Sequence, residues 1–187
     1  MGDYQNASGG LKKMYIAELG AIVCAVLSII PLVNIIAAIA AIVFMVLSIV
    51  GLYCAGKDIP GCQKAFMVTI ISLVVSVFKA IFKTGIMSAI FAIAGDVLSF
   101  LVVYLVCTSV AEVMVQLAAP DIADKGNSVW KINLVCYAVS AILSVLSIIP
   151  LINIIAAVLQ VVVAIVQIVA LVLYMIFLKK SSENLAA

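Results

Sequence analysis

The chain has 187 residues, of which 68% are apolar and only 10% charged, whereas soluble domains are about half apolar and a quarter charged; a water-soluble globular domain is excluded. All ten cationic residues are lysine, histidine is absent and the formal net charge is +2, so the composition supports neither a basic nucleic-acid-binding face nor imidazole chemistry. The five cysteines, Cys24, Cys54, Cys62, Cys107 and Cys136, have no C-x-x-C spacing and read as small buried hydrophobes, so no metal and no cofactor is expected.

In chain order, residues 1–13 read as a flexible cytoplasmic segment ending in Lys12 and Lys13. The apolar run behind them lacks a small-x-small cleavage site, so it is expected to remain as an anchor. Six apolar runs follow, roughly 14–30, 32–55, 65–83, 85–117, 133–149 and 151–178. Each is long enough, as a helix, to cross a bilayer core of about 30 Å. The two-residue alternation of a membrane barrel strand is missing. The expected fold class is therefore all-α: a polytopic membrane protein with six transmembrane helices in a single domain, 14–178, and a cytoplasmic tail, 179–187.

Residues 27–38 and 146–157 agree at eleven of twelve positions across an offset of 119, differing only at Val33 and Ile152. Each copy places a proline between two apolar runs, where a helix must break, so each copy is read as the turn of a helical hairpin. A third, diverged hairpin is read from periodicity. Ala65, Thr69, Ser72, Ser76, Lys79 and Lys83 follow steps of 4, 3, 4, 3 and 4, and Asn133, Tyr137, Ser140, Ser144 and Ser147 steps of 4, 3, 4 and 3. Each set is one stripe on a helix. Glu18, Ala21, Ala25 and Ser28 map onto Tyr137, Ser140, Ser144 and Ser147 at the offset of 119, and onto Thr69, Ser72, Ser76 and Lys79 at an offset of 51. Three tandem hairpins result, at 14–55, 65–117 and 133–178, related by an internal sequence repeat.

Orientation follows from lysine. With the N-terminus inside, the inner segments carry Lys12, Lys13, Lys57, Lys64, Lys125, Lys131, Lys179 and Lys180, and the outer turns carry only Lys79 and Lys83. That asymmetry predicts both termini in the cytoplasm of a plasma (inner) membrane protein. Short outer connections at Pro31, Gly85 and Pro150 make the flanking helices antiparallel neighbours. The inner connections, 56–61 and 120–128, are read as polar loops, the second with Trp130 and Lys131 as interface anchors and docking element.

Asp96 lies eleven residues into the fourth run, and an intramembrane carboxylate is a functional candidate by default. Lys79, on the preceding run, leans toward it and is the expected ion-pair partner. Asn153, Gln160, Gln167 and Tyr174 recur every seven residues, a polar line along one helix face. With Ser76 and Ser144 from the stripes, the candidates for a solute path or pocket are Asp96, Lys79, Gln160, Gln167, Asn153, Ser76 and Ser144. Two readings stay open for all of them, a lined cavity or ordinary packing seams between helices. Glu18 and Glu112 are expected at the inner interface as solvated carboxylates. No catalytic motif is present, so no enzyme is expected. The function read from these features is a polar intramembrane pocket or path for a small solute, in a transporter, channel or substrate-binding membrane subunit. The alternative is a non-transporting scaffold or partner-binding subunit. Expected partners are the lipid bilayer and a homo-oligomer or larger membrane complex; nucleic acid is not among them, and the solute is unspecified.

Overall fold

Where no water is at hand to satisfy the backbone, a continuous apolar run bonds within itself as a helix. The computed structural model, which describes residues 4–30, 34–81, 86–146 and 153–186, is helical throughout apart from short connections. The elements are α1 (Gln5–Leu27), α2 (Asn34–Ala55), α3 (Pro60–Ile81), α4 (Ile86–Gln116), α5 (Pro120–Leu146) and α6 (Asn153–Ala186). The turns expected at Pro31, Gly85 and Pro150 lie outside the described residues. Four stretches are long and apolar enough to cross a membrane: Asn34–Ala55, Pro60–Ile81, Ile90–Gln116 and Val158–Ala186. The other two helices are mixed. α1 carries Lys12, Lys13 and Glu18, and α5 opens with Asp121, Asp124, Lys125 and Lys131. Large apolar side chains face outward, among them Ile35, Ile36 and Ile81, each about two-thirds or more exposed. Such a surface is consistent with an integral membrane protein.

Each helix packs on its neighbours in chain order, and α6 returns to α1, so the six form a closed ring. Neighbours run antiparallel. On α1, Gly10 lies against Gly51 and Ala55 of α2, while Gly20 lies against Phe44. Between α3 and α4, Gly61 meets Ser109, and further along Phe78 stacks on Phe91 at 5.9 Å. Between α5 and α6, Gly126 meets Phe177, and Ser140 meets Gln167. The α1–α2 seam is closest where two glycines face each other: a Cβ on Gly10 would sit 2.5 Å from the Gly51 carbonyl oxygen, and one on Gly51 2.8 Å from that of Gly10. Side-chain-free contact of this kind is how helices gain dispersion energy in lipid.

One end of the ring carries the helix ends at residues 5, 55, 60, 116, 120 and 186, and is called the terminal end below. It is filled by an apolar plug that includes Ala7, Leu11, Leu52, Ile59, Val110, Met114, Phe177 and Leu178, all buried. The plug extends the helices beyond the expected spans. α1 begins at Gln5, nine residues before the first apolar run, because Ala7, Gly10 and Leu11 pack inward. The Ala7 backbone N–H and the Asn6 side-chain amide donate to the Asp58 carboxylate at 2.7 and 3.1 Å. Asp58, from the α2–α3 connection, thus caps orphan donors of α1 and places a negative charge at its positive end.

The segment expected as a polar loop after residue 120 is helix. α4 closes with Ala118 at φ 55°, the Ala119 N–H donating to the Met114 carbonyl at 2.9 Å and the Ala118 N–H to that of Val115 at 3.1 Å. This is a Schellman cap with alanine where glycine is usual. Pro120 then opens α5 with its ring already set for a helix and no N–H to satisfy. The segment expected as a tail continues α6 to Ala186, held by a hydrogen bond of 2.8 Å from the Ser8 hydroxyl to the Ser182 carbonyl.

Candidate functional site

The apolar plug stops two to three turns inside the ring, and from there the stripes take over. A cavity of about 540 Å³ lies among the six helices, every one of which contributes to its wall. α1 supplies Glu18, α2 Ser48, α3 Thr69 and Ser72, α4 Asp96 and Ser99, α5 Asn133 and Tyr137, and α6 Gln167 and Tyr174. Met14, Leu52, Val102, Val103 and Leu171 complete the lining. Among the described residues, Glu18 and Asp96 are its charged groups. They stand on opposite walls, since α1 and α4 are three seams apart in either direction around the ring.

Hydrogen bonding is unevenly distributed. The Asn133 carboxamide nitrogen donates to the Val129 carbonyl at 3.0 Å, and that of Gln167 to the Ser140 hydroxyl at 3.3 Å. The Thr69 hydroxyl donates to the Ala65 carbonyl at 2.9 Å. Tyr174 is 5% exposed, at the base of the cavity, and its hydroxyl has no hydrogen-bond partner among the described residues.

Of the residues singled out in the sequence, Asp96 and Gln167 line this cavity. Lys79 and Ser76 continue the α3 stripe beyond Ser72; both are exposed, and neither is part of the lining. The Ser76 hydroxyl donates to the Ser72 carbonyl at 2.9 Å. Lys79 is within electrostatic range of Asp96, yet the ion pair within 4.0 Å found among the described residues is Lys179–Glu183. Gln160 is exposed, one heptad beyond Gln167 on the same helix face. The side chains of Ser144 and Asn153 lie outside the described residues. Glu18, expected at the interface, is instead a wall of the cavity, because α1 starts early enough to carry it three turns into the ring. Ser48 and Ser99 were not singled out; applying the offset of 51 to α2 as well as α1 links them.

No group of three or more metal-ligating His, Cys, Asp or Glu residues occurs among the described residues. No protein-family model, curated protein or solved structure matches the chain.

Proposed function

We propose that the chain is a six-span protein of the plasma (inner) membrane with both termini cytoplasmic, in which three tandem hairpins surround one pocket for a small polar solute. The observation that carries this reading is the cavity's internal correspondence. The offset of 119 comes from the duplicated turn and that of 51 from the stripes of α1 and α3. Carried onto the even-numbered helices, they relate Ser48 to Ser99 and Gln167, and Leu52 to Val103 and Leu171; all six line the cavity. The odd-numbered helices add Glu18, Thr69 and Tyr137, also equivalents and also lining. Below them Ala55, Val106 and Tyr174 are equivalents, as are Ile59, Val110 and Leu178, and all six are buried. Repeated hairpins around an axis would bring related residues to one depth in this way.

The lysine asymmetry supports the cytoplasmic side for the terminal end. Anchoring aromatics sit there too, with the Lys57 ammonium 5.3 Å from the Tyr53 ring centre and that of Lys131 5.8 Å from Trp130. With the plug on the cytoplasmic side, the pocket faces away from the cytoplasm and is closed beneath. That geometry suits a binding site or one state of a transporter better than an open channel. The rival reading, a scaffold whose stripes are only seams, draws support from the hydroxyls of Thr69, Ser76 and Thr108, each bonded to its own helix.

Reporter fusions at residues 58, 124 and 187 should read cytoplasmic, and insertions beside Asn34 and Asn153 external. Protein reconstituted in liposomes should bind or pass at least one member of a panel of small polar solutes. An external C-terminus ends the topological reading, and vesicles that neither bind nor pass any solute leave the scaffold.

A further inference from the structure

The charge on the described wall of the cavity is all of one sign. The carboxamide nitrogens of Asn133 and Gln167 are turned to protein acceptors, and so is the hydroxyl proton of Thr69. What faces the cavity is then two carboxamide oxygens, the Thr69 lone pairs, the hydroxyls of Ser48, Ser72, Ser99, Tyr137 and Tyr174, which can donate or accept, and the carboxylates of Glu18 and Asp96. No lysine among the described residues is part of the wall. Tyr174, nineteen-twentieths buried at the base, has a hydroxyl bonded to no described residue. Polar groups around a confined space of this size are met by water or by a ligand. The hydroxyls adapt to either donors or acceptors, so the two carboxylates decide: they call for positive charge carried on N–H donors.

A metal ion is a poor occupant, since the carboxylates stand on opposite walls and, among the described residues, no group of three acidic or sulfur ligands forms around either. An ammonium group brings three donors and one charge. The rings of Tyr137 and Tyr174 add faces on which a cation rests.

We infer that the cavity between Glu18 and Asp96 binds a small aliphatic amine, with a diamine matching the two opposed carboxylates. This rests on the pocket proposed above and names its ligand class. Asp96 faces one amino group and Glu18 the other, while the oxygens of Asn133 and Gln167 take the remaining N–H donors.

The test is equilibrium binding of radiolabelled 1,4-diaminobutane to the full chain in liposomes. Competitors are butylamine, tetramethylammonium, magnesium, succinate and the neutral polyol erythritol. Saturable binding is expected, displaced best by diamine, less by butylamine, and least by tetramethylammonium, which has charge but no N–H donor. Succinate, magnesium and erythritol should not compete. Asp96→Asn and Glu18→Gln should each weaken binding by about tenfold or more, in preparations that remain monodisperse on gel filtration. The ranking of competitors on the unaltered protein stands even where a variant does not fold. Displacement by magnesium, or by tetramethylammonium as well as by diamine, overturns the amine assignment. Binding of radiolabelled erythritol without diamine overturns it too, and leaves the pocket intact. Absence of binding by every solute overturns both.

Discussion

The two halves of the ring are made from the same helices and behave as different solvents. At the terminal end, Ile59, Val110 and Leu178 are all aliphatic and all buried. About three turns further on, Ser48, Ser99 and Gln167 line a cavity instead. Apolar chains of similar girth interdigitate and exclude everything else. Polar groups that meet at the centre of a ring cannot all reach one another, so they hold the helices around a space. The position along the helix at which the inward stripe changes from aliphatic to polar decides where packing ends and the pocket begins.

The comparison breaks first at the plug. Phe177 is fully buried and lies against Gly126; Phe177→Ala should cost about 3–5 kcal/mol, read by denaturant or thermal unfolding in micelles. Asp58→Ala should cost about 1 kcal/mol, since it removes a cap at the edge of the plug. Ser72→Ala, on the cavity wall, should change stability by less than about 0.5 kcal/mol. If Ser72→Ala costs as much as Phe177→Ala, the cavity wall is a packing seam and the distinction between the halves fails.

Much of this was legible in the sequence, for reasons that also mark where legibility stopped. The apolar runs announce helices, and the 4-and-3 spacing of Thr69, Ser72 and Ser76 announces which face is polar. Spacing gives a face and not a depth, so Ser76 and Ser72 look alike although only Ser72 reaches the cavity. Helix ends were harder. Nothing local says that residues 5–13 are helical, because the cap on α1 comes from Asp58, on a distant connection. With the start of α1 misplaced, Glu18 falls at the interface instead of inside the ring. Ala118 hid the α4–α5 turn for a related reason: the signal sought there is glycine, and the bonds from Ala118 and Ala119 form without one.

The hydrogen bond from Ser8 to Ser182 joins residues 174 positions apart, and it has a consequence for how the molecule is made. During synthesis the helices emerge in order, and five of the six seams can form between a new helix and the one before it. The sixth, α6 on α1, unites the earliest helix with the latest. Until it forms, the assembly is a crescent whose polar stripes border an open side, and the pocket does not yet exist. Biogenesis therefore has a late closing step, and what holds the edges of the crescent apart from lipid until then becomes a question for the insertion machinery.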